Sequence, residues 1–205
     1  MQQECLRKTI MTRRRNAETG FEAICFAVVA FALAGLGACA AIPEDQPVLE
    51  KLDADTGVTI ARIGRSIELY REIAPNGHTD RFAYLAPFET NMMGQRATFL
   101  WLAVPVDPTL KETPPIVEVN GAALMLGTPG LDADFVGLTK SPYKVPTPWS
   151  VLYYFKADAD LIAKLGAAQD LIVRLPEITK NGIGEARFGF KVAADARLKD
   201  FAARQ

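Results

Sequence analysis

The sequence predicts a mainly β protein, an antiparallel β-sandwich with one inserted short helix and a C-terminal helix. Three observations lead there. Beyond residue 52, Pro or Gly recurs every several residues and leaves short apolar runs of strand length between them. Asn76-Gly77, Asn120-Gly121 and Asn181-Gly182 are turn dipeptides, because both residue types tolerate the positive φ that tight hairpins require. No succession of β-α-β units is present, which removes a parallel sheet from consideration.

In chain order the apolar runs place strands near Val58–Ile63, Ser66–Glu72, Arg81–Pro87, Ala97–Val104, Ile116–Val119, Trp149–Lys156, Leu171–Leu175 and Ala186–Val192. The runs Thr98–Val104 and Trp149–Phe155 are apolar on both faces and are expected as central strands. In Arg187–Val192 the apolar residues Phe188, Phe190 and Val192 alternate with charge, the pattern of a half-exposed strand. Asp158 or Asp160 caps a short helix running to Ala168, with Leu161, Ile162 and Leu165 inward and Gly166 near its end. Asp195 caps a terminal helix that carries Leu198, Phe201 and Ala202 on one side. A closed up-and-down barrel is the alternative architecture, but the regular long hairpins it needs are not evident.

The chain has 205 residues, 49% of them apolar and 23% charged, which suits one domain plus a tail. A net charge of −1 lacks the electrostatic footprint of a nucleic-acid binder. One His and three Cys leave little material for a zinc site or a His-based triad.

The N-terminal 40 residues are organised differently. Arg7, Lys8 and Arg13-Arg14-Arg15 form a basic segment, and Ala23–Ala38 is an uncharged apolar run of 16 residues. That is short for a permanent bilayer helix and suits a signal segment. The run ends Leu36-Gly37-Ala38-Cys39, which resembles the lipobox of bacterial lipoproteins. The resemblance implies cleavage between Ala38 and Cys39, a diacylglyceryl thioether on the Cys39 sulfur, and acylation of the new amino group. Small residues at 37 and 38 open the backbone to a peptidase. Several acyl chains hold where one does not, at roughly 0.8 kcal/mol per buried methylene. Met11 is an alternative start, because the ten residues before it add nothing such a signal needs. The arginine run is similar to a twin-arginine signal, but Asn16-Ala17-Glu18 follows where an apolar residue is expected, which favours ordinary secretion.

The organisation expected is therefore a signal peptide over 1–38, the lipidated Cys39 with a tether over 39–51, and a β-sandwich domain over 52–205. Residues 1–38 hold five basic and three acidic side chains, leaving 18 and 21, a net charge of −3. Cys5 and Cys25 depart with the signal, so the domain must be stable on its core alone. Ala40 stands where an inner-membrane retention signal would place Asp, which implies the outer membrane, facing the periplasm.

Within the domain, candidate chemistry is sparse. His78 lies in a turn with Asp80 nearby, as a base and orienter would; the bland alternative is a solvated turn histidine. Ser66, Ser141 and Ser150 are not in a Gly-x-Ser-x-Gly elbow. Asp-Ala-Asp occurs at 53–55, 132–134 and 158–160, where capping and turn chemistry compete with a weak cation site. Leu126-Gly-Thr-Pro-Gly130 has no Lys for a phosphate loop. Met92-Met93 offers a soft ligand pair without His or Cys beside it. Trp101, Trp149, Tyr153, Tyr154 and Phe155 read as core before they read as a sugar or lipid groove. The sequence singles out no catalytic, metal-ligating or cofactor-binding residue.

Thr56-Gly-Val-Thr59, the aromatic strand Phe82–Phe88, the Asn91-Met-Met-Gly94 turn and Phe99–Leu102 together resemble an uncharacterised group of proteobacterial envelope lipoproteins. The resemblance covers about 50 residues and implies a small envelope lipoprotein with no known reaction. Three functions follow as expectations. The first is a non-enzymatic module, held to the membrane by its lipid, that binds an envelope protein or polysaccharide. Its face would be Pro105–Pro148, a stretch with eight prolines in 44 residues. The others are a hydrolase of envelope glycans or lipids using a carboxylate pair, and a carrier of a small ligand or metal.

Overall fold

The structure, a computed structural model, describes residues 48–71, 82–145, 147–148, 150–189 and 195–205. Ala38, Cys39, His78 with Asp80, Asn76-Gly77, Trp149, Phe190 and Val192 lie outside the described residues. What is described falls in one compact unit, Glu44–Gln205.

Ten strands form it: β1 (Leu49–Leu52), β2 (Thr59–Arg62), β3 (Ile67–Arg71), β4 (Phe82–Met92), β5 (Gln95–Val104), β6 (Ile116–Val119), β7 (Ala122–Ala123), β8 (Val151–Ala157), β9 (Leu171–Thr179) and β10 (Gly182–Gly189). Helix α1 (Ala159–Gly166) and helix α2 (Ala196–Ala202) complete it, with 3₁₀ turns at Pro108–Leu110 and Ala133–Val136. Every strand pairing is antiparallel. The fold is the expected mainly β, sandwich-like one, with its helix inserted after β8 and a second at the C-terminus. No helix among the described residues is long and apolar enough to cross a membrane.

One layer runs β1-β2-β4-β5-β8 and the other β3-β10-β9-β6-β7, joined where β4 pairs with both β2 and β3. The joint explains a difference from the sequence reading, in which a strand ended at Pro87. Instead β4 continues to Met92. Its Phe88–Asn91 half pairs with β2 and its Phe82–Leu85 half with β3, so on that edge Ala86 and Pro87 face the crossover at 63–66, while on the other they lie opposite Trp101 and Leu100 of β5. The Pro87 carbonyl accepts from Tyr143 Oη at 2.5 Å. Its missing N–H therefore breaks no ladder. Arg62 steadies the crossover by donating to the carbonyls of Ile63 (3.2 Å) and Gly64 (2.7 Å).

The register sorts the core into two parts. Leu85, Leu102 and Tyr153 stand in one row and face the sandwich interior with Leu100 and Phe155. Phe88 and Phe99, then Trp101 and Tyr154, pair on the opposite face and are equally buried. Burial on both faces accounts for the unbroken apolar runs. It does not make β8 central, as the sequence suggested. Beyond β8 there is, among the described residues, only a bridge in which Gly130 and Tyr154 exchange two backbone hydrogen bonds, both 2.9 Å. The outer face of β8 is buried by the chain crossing over it.

Both helices begin where expected. Asp158 accepts from Leu161 N–H at 2.8 Å and Asp195 from Arg197 N–H at 2.9 Å. Leu161, Ile162 and Leu165 of α1 and Leu198 and Phe201 of α2 are buried. A Cβ on Gly166 would come within 2.5 Å of Ala202 Cβ, so glycine is what lets the helices approach so closely. Strands β1 and β7 were not legible: one lies at the end of the expected tether, and the other is two alanines long.

Candidate functional site

The Pro105–Pro148 stretch, expected as one loop-rich face, does two different jobs. Its second half is a cover. Asp132 accepts from Phe135 N–H at 3.2 Å to start the 3₁₀ turn, and Gly137 closes it at φ 74°. Val136, Leu138 and Tyr143 then reach down onto the outer face of β4-β5-β8 and are buried. Tyr143 meets Trp101 at 5.2 Å and Phe88 at 6.4 Å between ring centroids, with Arg62 stacked 5.3 Å from its own ring. Burial pushes its phenol far above the ordinary range, so Tyr143 stays neutral and donates to Pro87. Beneath the cover, burial also raises Tyr154, while Ser141 and Trp101 beside it pull the other way. Gly130 has no room for a side chain, because a Cβ there would lie 2.1 Å from the Phe135 ring.

The first half leaves a groove. The Asn120-Gly121 turn, at φ 51° and 79°, reverses β6 into β7. Asn120 Oδ1 accepts from the N–H groups of Gln169 (2.8 Å) and Asp170 (3.0 Å), which ties the turn to the chain leaving α1. Between them lies a groove of about 420 Å³, within the usual range for ligand sites. Leu124, Leu161 and Val119 line its apolar side, Asp158, Asp160 and Lys164 its charged rim, and Met125 stands almost fully exposed beside it. Lys164 pairs with Asp160 at 2.7 Å, and that contact holds its ammonium above the usual lysine range. The rim thus presents an acidic excess over an apolar floor.

The three Asp-Ala-Asp copies resolve into local structure. Asp132 and Asp158 are helix caps. Asp53 accepts from Asp55 N–H at 3.1 Å in the β1–β2 turn, and Thr139 Oγ1 lies 3.5 Å from Asp53 and 3.4 Å from Asp55. At Asp53 desolvation pushes the carboxyl up, but hydrogen bonds from Asp55, Thr139 and Thr56 together outweigh it and hold it below the ordinary range. A general acid needs the opposite shift. No group of three metal-ligating side chains occurs among the described residues.

The remaining candidates separate in space. Trp101, Tyr153, Tyr154 and Phe155 are core, as expected, rather than groove. Met92 and Met93 are exposed at the β4–β5 turn. The four segments that carry the envelope-lipoprotein resemblance fall on the β1–β2 turn, β4, the β4–β5 turn and β5, which neighbour one another. Asn120, Met125 and Lys164 were missed as groove residues. The turn dipeptide followed by Ala-Ala-Leu-Met125 was the available signal, yet nothing in the sequence brings α1 against it. Comparison with protein-family models, curated proteins and solved structures finds no match.

Proposed function

We propose that this chain is a lipid-anchored envelope lipoprotein whose domain is a binding module, cleaved before Cys39 and held to the outer membrane on its periplasmic side. The lipobox Leu36-Gly37-Ala38-Cys39 supports the anchor. The groove between β7 and α1 carries the binding function, because an apolar floor of this size with an exposed methionine at its edge is left open by a stretch whose other half covers the aromatic face of β4-β5-β8. The partner is an envelope protein, since an apolar floor under an acidic rim suits an apolar side chain flanked by a basic one better than it suits a sugar.

Crosslinking of the native protein in intact cells, followed by mass spectrometry, tests the module. Capture of one reproducible partner, lost in Met125→Asp and Ala123→Arg, is the expected result. Retention of the same crosslinks in both variants overturns the assignment of the groove. Cys39→Ala tests the anchor separately: acyl labelling should vanish and the precursor should accumulate.

A further inference from the structure

Two tight turns in this protein share one geometry and differ in one residue. Asn120-Gly121 and Met93-Gly94 both place two successive residues at positive φ, 51° and 79° in the first, 52° and 88° in the second. Asn is favoured at the first position because its short polar side chain tolerates the left-handed region and water. Methionine gains nothing there: it is strained in that region and its thioether stands fully exposed. A local choice against both propensity and solvation marks a functional surface.

The neighbours of Met93 extend that surface. Met92 is half exposed in the same turn. Leu52, at the end of β1, aligns through Thr59 with Asn91, which puts it two strands from the turn, ~10 Å away. Leu52 is 60% exposed. Gly94 N–H donates to Asn91 Oδ1 at 2.9 Å, so the turn is held rigid beneath its exposed methionine. Arg96, opposite Asn91 across the hairpin and largely exposed, pairs with Glu89 at 3.8 Å, and Asp53 and Asp55 of the β1–β2 turn share a cleft with Lys51 and Lys140.

We infer that this end of the sheet, the β4–β5 turn with Leu52 beside it, rests in the phospholipid surface that holds the acyl chains. The inference rests on the lipoprotein reading, and chain length argues for this occupant. Nine residue steps separate Cys39 from Val48, where the described chain begins, a reach of at most about 32 Å. β1 then runs toward the Met93 end, in the same direction as β4, and reaches Leu52 only four steps beyond Val48, about 13 Å. A lipid-rooted chain of that length lets the apolar end reach the leaflet. Unbranched methionines adapt to such a surface. With Arg96 matched by Glu89, and Asp53 and Asp55 by Lys51 and Lys140, the contact is apolar rather than ionic.

The test uses the acylated full protein in phosphatidylethanolamine/phosphatidylglycerol vesicles carrying a spin-labelled lipid as quencher. A fluorescent amino acid replaces Gln95, beside the turn, or Ile183, in the β9–β10 hairpin that projects from the opposite end of the strands. The expected result is loss of most fluorescence at 95, little loss at 183, and recovery at 95 when Met92→Ser and Met93→Ser are combined. No quenching at 95 in protein whose Cys39 carries lipid overturns the inference and leaves the anchor standing. Shielding at 95 that is the same without vesicles indicates a protein occupant or a second copy, and also overturns it. Quenching at 95 in protein whose Cys39 carries no acyl group retains the membrane contact and removes the anchor.

Discussion

The two halves of the Pro105–Pro148 stretch have similar composition and opposite fates. Leu131–Val145 packs Val136, Leu138 and Tyr143 over the aromatic face of β4-β5-β8, whereas Val119–Met125 stops short and leaves a groove against α1. Proline and glycine set where the chain turns in both. What separates them is the register of large apolar side chains with a sheet face that lacks a second layer. An irregular segment over such a face becomes core. One at the end of a short strand, with alanines where the cover has leucine and tyrosine, stays available.

The comparison breaks most readily at the aromatic face. Trp101→Ala should lower unfolding free energy by about 3–5 kcal/mol and Leu138→Ala by about 2–4 kcal/mol, because each leaves a cavity that the β-sheet cannot collapse to fill. Met125→Ser should change it by less than about 0.5 kcal/mol, as exposed substitutions do. Denaturant titration of all three checks this. Equal losses at Leu138 and Met125 would mean that the two halves are not different in kind.

A second effect, somewhat smaller, sharpens how α1 is set against the groove. Gly166→Ala forces two methyl groups to within 2.5 Å across the α1–α2 contact. Overpacking of that kind costs roughly 1–3 kcal/mol. Adding Ala202→Gly should recover most of the loss despite weakening α2 by about 1 kcal/mol. If the double variant is no better than the sum of the single ones, measured by thermal melting, the helices have slid apart instead of clashing.

Much of this fold was legible from residue order. Strands whose apolar runs reflect burial were found within two or three residues, and both helices were found through Asp158 and Asp195. The failures share a cause. The missed outer parts of β9 and β10, residues 176–179 and 182–185, hold Pro176, Glu177, two glycines and Glu185, so their pairing rests on backbone ladders and ion pairs such as Arg174–Glu185 at 3.1 Å, not on apolar alternation. Pro87 hid the second half of β4, because its tolerance depends on a gap between β2 and β3 that no local pattern announces. The groove was assigned to the correct long stretch but not to its residues. Its second wall is α1, about 40 residues downstream, and only the tertiary fold brings the two together.

Removing one hydroxyl asks whether the cover is held by more than apolar contact. Tyr143→Phe leaves the ring against Trp101 and Phe88 but strands the buried Pro87 carbonyl. The expected loss is about 1–2 kcal/mol, the cost of an unpaired buried acceptor. Increased hydrogen exchange should be confined to the cover and the crossover at 63–66.

The smallest expected effect concerns the far side of that crossover. Arg197 donates to Asp195 through Nε at 2.9 Å and Nη2 at 2.5 Å, and through Nη1 to the Arg65 carbonyl at 3.1 Å. Partial burial pushes the Asp195 carboxyl up, but the Arg197 contacts and the helix-cap bond outweigh it, so its pKa lies below the ordinary carboxylate value. A depressed folded-state pKa means stability that is fully present above the unfolded value near 3.8 and is lost as pH falls through the lower folded one. Asp195→Asn retains a good helix cap and loses the charge. It should therefore cost less than about 1 kcal/mol at neutral pH, as for partly exposed ion pairs, and flatten the stability profile below pH ~4. An unchanged acid limb in the variant would assign that limb to other carboxylates and leave the cover on the opposite face as the main fastening of the crossover.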